Sequence, residues 1–255
     1  MQPHERIGEA IIAANKDGRT GLVPFITAGY PDPGTFASSL QAIAEVGDVV
    51  ELGVPFSDPM ADGMTIQRSS FAAIENGVTL TWIFDQLDPL QGSIDAPLIM
   101  MSYLNPLLAF GYAKLASRAR ETGVCAFIVP DLPYEESAEI SAALDAEGAG
   151  LIQLVTPATP ADRLKLLASA SRGFLYAVTI TGITGGSGGL PPDLAGYLDE
   201  VSAVSSLPVC AGFGIRTAQD VDSVGKHAAG AIVGSALVEV LERGEDPAAY
   251  LRQLR

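Results

Sequence analysis

The chain has 255 residues, 48% of them hydrophobic and 18% charged, and 30 acidic against 15 basic side chains give a formal net charge of −15. So acidic a surface disfavours nucleic acid and anionic lipid as partners, and an anionic substrate would have to be met locally, by backbone N–H groups and helix N-termini. Mean hydropathy is positive, yet no unbroken apolar run reaches bilayer-spanning length. The longest candidate, Ala96 to Ala113, is interrupted by Pro97, Asn105, Pro106 and Gly111 and reads as a buried strand followed by a loop. His4, Glu5, Arg6 and the short apolar stretch containing Glu9 do not form a signal peptide, so a cytoplasmic location is expected.

In chain order, a helical pattern over Glu5–Asn15 precedes the first of eight short apolar runs. The runs are Leu22–Thr27, Val49–Leu52, Leu98–Met101, Ala126–Val129, Leu151–Val155, Phe174–Val178, Val209–Ala211 and Ala231–Val233. They are continuous and lack clean alternation, as expected of parallel strands buried on both faces. Amphipathic segments separate them, among them Glu135–Glu147, Pro160–Ala170 and Ala218–His227, with Thr159 and Thr217 placed as N-caps. The long interval from Leu52 to Pro97 predicts an insertion with two helices, Thr65–Asn76 and Thr79–Leu87, and a last helix covers Pro247–Leu254. Eight strand–helix alternations in a chain of this size predict an α/β fold of the (β/α)₈ barrel type. Residues 1–255 form its single domain, with the extra N-terminal helix capping the N-terminal face.

Active sites of such barrels lie at the C-terminal ends of the strands. The four lysines, Lys16, Lys114, Lys165 and Lys226, and both histidines, His4 and His227, fall in helical patterns, so no Schiff-base lysine and no catalytic zinc are expected. Cys125 and Cys210 read as buried small hydrophobes in strands, with no disulfide or metal spacing. Proton transfer is left to carboxylates. Glu51 ends the second strand among apolar neighbours; desolvation there would raise its pKa and suit it to acid–base work, although a structural carboxylate bonded to backbone reads the same way. Asp62, in a Gly/Pro-punctuated loop, reads on its own as a turn residue or helix cap. Gly212 and Gly214 after strand seven, and Gly234-Ser235 after strand eight, fit a phosphate site at a helix N-terminus, or simply tight turns. No dinucleotide fingerprint or P-loop is present.

The stretch Glu51-Leu52-Gly53-Val54-Pro55-Phe56-Ser57-Asp58-Pro59-Met60-Ala61-Asp62-Gly63 resembles the signature of the tryptophan synthase α subunit family. Further stretches agree in order: Pro24–Gly29, Tyr103–Pro106, Ile128–Pro133, Thr181–Gly185, Gly212–Ile215 and Gly234–Ala236. The resemblance covers essentially the whole chain. It implies cleavage of indole-3-glycerol phosphate into indole and D-glyceraldehyde 3-phosphate, without a cofactor. A pyridoxal-phosphate β subunit would be the partner, in an α-β-β-α complex. It implies that Glu51 protonates the indole ring carbon and helps deprotonate the glycerol hydroxyl, and that Asp62 holds the indole N–H. Phe25, Tyr176 and Phe213 would line the indole pocket, with Tyr103 also at the substrate. Gly185, Phe213, Gly214, Gly234 and Ser235 would hold the phosphate, and Thr184 would position Asp62.

Three departures from that pattern stand out. Met64 takes the place of a usual proline, Val46-Gly47-Asp48 is one residue shorter than the usual approach to strand two, and Gly185–Gly189 is unusually glycine-rich. None removes a catalytic group. Three rival readings remain in view. Another phosphate-binding barrel enzyme, such as an isomerase of the same pathway, is opposed by the long signature around Glu51, and a scaffolding or regulatory barrel by the presence of both Glu51 and Asp62. A free-standing indole-releasing lyase is barely separable by sequence.

Overall fold

A computed structural model describes residues 1–179, 193–212 and 214–255. Its parallel strands are β1 (Gly21–Thr27), β2 (Val50–Gly53), β3 (Leu98–Met101), β4 (Val124–Ile128), β5 (Gly150–Ile152), β6 (Leu154–Val155), β7 (Leu175–Val178), β8 (Val209–Gly212) and β9 (Gly230–Val233). Their order, β5-β4-β3-β2-β1-β9-β8-β7-β6, places two consecutive pieces of chain at the two ends of the sheet. The expected run Leu151–Val155 is therefore one barrel strand that changes neighbours midway. β5 pairs with β4 and β6 with β7, and between them the Gln153 carbonyl accepts from the Tyr176 N–H at 3.0 Å. The barrel closes across that residue.

Around the strands lie α1 (Glu5–Lys16), α2 (Phe36–Ala44), α3 (Met64–Glu75), α4 (Leu80–Leu87), α5 (Leu104–Phe110), α6 (Tyr112–Thr122), α7 (Ala138–Ala146), α8 (Ala161–Ala170), α9 (Leu194–Val204), α10 (Ala218–Gly225), α11 (Ser235–Glu242) and α12 (Pro247–Gln253). Two-residue periodicity divides the strand side chains between two apolar layers. Val23, Val49, Ile99, Ile128, Ile152, Tyr176, Cys210 and Ile232 fill the barrel interior. Leu22, Ile26, Val50, Leu52, Leu98 and Met100 face outward into the helix layer. Both faces are apolar, which is why the strands show no alternation in sequence. Ile7 and Ile11 of α1 join the interior cluster, so the N-terminal helix caps the barrel floor as expected. α3 and α4 form the expected insertion after β2.

Several local expectations are corrected. The segment after β3 is not a loop but α5: Pro106 is its third residue, in the first turn, where a missing N–H costs nothing. The first N–H of α5, that of Leu104, is bound instead by the Asp131 carboxylate at 2.9 Å. Thr159 does not cap α8. Its hydroxyl accepts from the Thr156 N–H within a turn, and Pro160 occupies the cap position in an extended conformation. Thr217 does cap α10, in a reciprocal capping box with Asp220. Lys226 and His227 lie in the turn after α10 and His4 just before α1, so not every basic residue is helical. Cys125 and Cys210 are buried in strands. Among the described residues, no helix is long and apolar enough to cross a membrane.

The short connection into β2 is held by Asp48. Its carboxylate accepts from the Leu22 N–H at 2.7 Å and from the Arg255 guanidinium at 3.0 Å, tying the α2–β2 turn and the C-terminus to β1. Gly47 is needed beside it, because a Cβ there would fall 2.7 Å from the Pro24 ring. Charge-assisted hydrogen bonds of this kind are worth about 1.5–3 kcal/mol. Asp48→Ala is expected to lower the stability of the chain by roughly 2–3 kcal/mol in urea unfolding; a loss under about 0.5 kcal/mol would show that the bonds contribute nothing net.

Candidate active site

The period of β2 directs Val49, Glu51 and Gly53 inward, so Glu51 projects into the barrel near its C-terminal end. In register beside it on β1 stands Phe25. The Phe25 ring lies against Gly53, where a Cβ would come within 2.4 Å of it. Tyr176 enters from β7, and its hydroxyl occupies the space that a side chain on Gly212 would need, 2.3 Å from the position of a Cβ. Gly212 is thus explained by close approach, whereas Gly214 has φ +84° and needs glycine for its backbone conformation. Tyr176 and Cys210 are buried beside Glu51, and burial and its charge hold both well above their usual pKa range.

Glu51 is 1% exposed, and its Oε2 has no hydrogen-bond partner among the described residues. Burial, and then the nearby charge of Asp62, push its pKa up to about 8. Among the described residues, no backbone N–H therefore satisfies that oxygen. Asp62 lies in the loop between β2 and α3. Burial raises its pKa as well, but the Tyr103 hydroxyl, donating to its Oδ2 at 3.0 Å, favours the charged form. The same hydroxyl accepts from the Ala61 N–H at 2.8 Å, and the Tyr103 ring stacks on Phe56 with centroids 5.1 Å apart. Gln67 of α3 donates to the Asp62 carbonyl at 2.8 Å. Asp62 is a positioned group rather than a free turn residue.

Next to Phe25, α11 starts at Ser235 with Gly234 as its cap residue, and no side chain among the described residues caps it. Its leading N–H groups are of the kind that bind anions. A Cβ on Gly234 would have Phe25 as its nearest contact, at 3.9 Å, so the helix start and the aromatic wall adjoin. Phe25, Glu51 and Tyr176 lie within β1, β2 and β7, and Asp62, Tyr103, Gly214, Gly234 and Ser235 follow the C-terminal ends of β2, β3, β8 and β9. Thr184, Gly185 and Phe213 lie outside the described residues, as does the Gly185–Gly189 loop. Sequence reasoning missed Gln67 and the supporting role of Phe56, for which nothing in the local pattern gives a sign. It also placed Tyr103 only at the substrate, whereas its hydroxyl is bonded to Asp62.

A closed parallel barrel with a buried carboxyl group, a part-buried one in the adjoining loop and, among the described residues, a helix start without a side-chain cap defines a (β/α)₈ barrel of the enzyme type. Comparison with known proteins narrows this. The family described as "Tryptophan synthase alpha chain" matches residues 11–254. The tryptophan synthase alpha chain of Desulfovibrio desulfuricans is 44% identical over 246 residues, covering 95% of this chain and 96% of that one. That of Roseiflexus castenholzii is 41% identical over 248 residues, covering 96% and 95%. Among solved structures, a tryptophan synthase from Mycobacterium tuberculosis superposes with a TM-score of 0.90 at 32% identity, covering 98% of this chain and 96% of that one. Tryptophan synthase subunit alpha from Legionella pneumophila gives 0.88 at 32%, covering 100% and 97%. The chain belongs to the tryptophan synthase alpha chain family.

The unequal environments have a measurable consequence for stability. Folded Glu51 keeps its proton up to about pH 8, while the ordinary value is 4.5. Between these values the folded chain binds a proton that the unfolded chain has released, so stability falls as pH rises through that window and levels off above it. Glu51→Gln abolishes this penalty, which is on the order of a few kcal/mol. The melting temperature of Glu51→Gln relative to wild type is expected to differ little near pH 4.5 and to climb until about pH 8. A difference that is independent of pH would contradict the buried, neutral Glu51.

Proposed function

We propose that residues 1–255 act as one catalytic unit that cleaves indole-3-glycerol phosphate to indole and D-glyceraldehyde 3-phosphate, a step of tryptophan biosynthesis, by carboxylate acid–base catalysis. The observation that carries this reading is the buried Glu51, protonated at neutral pH, with an oxygen that has no hydrogen-bond partner among the described residues. Neutral Glu51 gives its proton to the indole ring carbon that bears the glycerol chain. The ring becomes an electron sink, with positive charge on its nitrogen, and the Asp62 carboxylate stabilises that N–H. The Glu51 carboxylate then takes the proton of the adjacent hydroxyl. The carbon–carbon bond breaks, its electron pair restores the indole, and the former carbinol becomes the aldehyde. Glu51 ends with the proton it began with, and the step needs no imine and no metal.

Phe25 and Tyr176 wall the ring, with Phe213 as a further member of that pocket. Tyr103 holds Asp62 toward the substrate, a task it shares with Thr184. Gly185, Phe213, Gly214, Gly234 and Ser235 take the phosphate, which answers the problem of binding an anion on a chain of net charge −15. The protein works in the cytoplasm with a pyridoxal-phosphate β subunit, in an α-β-β-α complex. Indole is neutral and membrane-permeant, so docking the barrel mouth on the enzyme that consumes it avoids its loss. Loop ordering by that partner would complete the site.

The test is indole release from indole-3-glycerol phosphate by the purified chain, with and without a β subunit. Wild type is expected to be slow alone and markedly stimulated by the partner. Glu51→Gln should fall by roughly 10²–10⁴ while binding substrate within several-fold; more than a tenth of wild-type turnover in that variant would remove Glu51 from the chemistry. For the phosphate end, Gly234→Asp puts a carboxylate where the anion would sit and should raise KM steeply. Glycerol phosphate is expected to protect wild type against thermal unfolding but not Gly234→Asp, and equal protection of both would place the phosphate elsewhere.

A further inference from the structure

We propose that a polar clasp between α3 and α11 is a positioning device, which holds Asp62 at a fixed place relative to the phosphate end of the site. The inference rests on the reading above, in which Asp62 serves the indole N–H and Gly214, Gly234 and Ser235 face the phosphate. α3 begins two residues after Asp62, and its Gln67 grips the Asp62 carbonyl at 2.8 Å. α11 begins at Ser235. The two helices are joined at two levels. The Thr65 hydroxyl donates to Glu239 Oε1 at 3.3 Å, and one turn on, Arg68 Nε and Nη2 donate to the two carboxylate oxygens of Glu242 at 2.9 and 2.7 Å.

Glu239 is the node of this clasp. Its other oxygen accepts from the Arg216 guanidinium, and Arg216 lies two residues beyond Gly214. The Arg216 backbone is itself fixed: its N–H donates to Asp220 Oδ2 at 3.0 Å, and its carbonyl accepts from the Tyr250 hydroxyl at 2.7 Å. One carboxylate therefore connects the segment after β8, the helix after β9 and the helix that carries the Asp62 loop. On the inner side, Thr27 at the end of β1 and Ser69 of α3 share a buried hydrogen bond of 2.6 Å. That contact pins the middle of α3 to the barrel and leaves the outer ties to fix its rotation. Tyr30 completes the cluster, packing against Phe25 and Val238 with its hydroxyl beside Glu242 and Arg68.

The exposure of these groups separates positioning from stability. The Arg68 and Glu242 side chains are 52% and 36% exposed. Such ion pairs add little to the folding free energy. A two-pronged guanidinium–carboxylate contact nevertheless fixes relative orientation well. Small displacements of a reacting group are costly in rate, about 10²-fold for 1 Å. Loss of the clasp should therefore appear in kcat rather than in Tm.

The experiment uses the complex with the β subunit and three variants: Arg68→Glu, Glu242→Arg, and the double exchange. In each single variant two like charges face each other, and kcat for indole-3-glycerol phosphate is expected to fall roughly 5–20-fold. Glycerol 3-phosphate affinity of the same complexes should stay within about twofold, with Tm little changed. The double exchange restores the pair in reverse and should bring kcat back to within about twofold of wild type. Thr65→Val, which removes only a neutral hydrogen bond, should lower kcat in the same direction, roughly 3-fold, and serves if the charge variants fold poorly. Unchanged kcat in the variants, a fall that the exchange fails to restore, or a fall matched by equal loss of phosphate affinity overturns the clasp. Wild type that releases no indole would instead overturn the reading on which it rests.

Discussion

Withdrawing the Glu51 carboxyl from water costs free energy that is not returned by hydrogen bonding at Oε2 among the described residues, and the charge of Asp62 adds repulsion. The group meets that cost by staying protonated. Much of the surrounding construction keeps it in that state. Phe25 stands in register beside it and Tyr176 lies near it, and each is admitted by a glycine, Gly53 for the one ring and Gly212 for the other. Asp62 is treated differently: burial raises its pKa too, but the Tyr103 hydroxyl donates to it and favours its charged form. Two carboxyl groups of the same intrinsic chemistry thereby meet unequal environments, which is what the proposed division into acid and counter-charge requires. A barrel suits this because the interior positions of its strands are set by backbone pairing.

Much of this was legible in the sequence, for identifiable reasons. Eight apolar runs of strand length announced the barrel, because a parallel strand covered on both faces has no room for polar side chains. The change of neighbours at Gln153 was not legible, since the residues on either side are apolar whichever strand they pair with. Pro106 read as an interruption, whereas it falls in the first turn of a helix whose leading N–H is bound by the Asp131 carboxylate of a distant segment. At the site, Glu51 stood out as a charge in an apolar run, and the long motif after it gave Asp62 its significance. What holds Asp62 in place could not be read. Tyr103 and α3 reach it through contacts that depend on how separate segments pack. Gly212 likewise looked like a turn or phosphate residue, when its immediate reason is the hydroxyl of a tyrosine on the neighbouring strand.

The relation of α3 to the rest is similar. In sequence it is an inserted helix between a loop and another helix, with an exposed methionine, Met64, at its start. In space it is a strut between the two ends of the site, tied inward by Ser69 and outward by Thr65 and Arg68.

The seal formed by α1 also bears on traffic. Ile7 and Ile11 stop the lumen from below, and Gly8 brings the helix so close that a Cβ there would lie 3.0 Å from the Gly173 carbonyl oxygen. Among the described residues the barrel is thus stopped at its N-terminal end, and the end where Phe25 and the start of α11 adjoin is left for exchange with the outside. A protein seated over that end would govern what passes to and from Glu51.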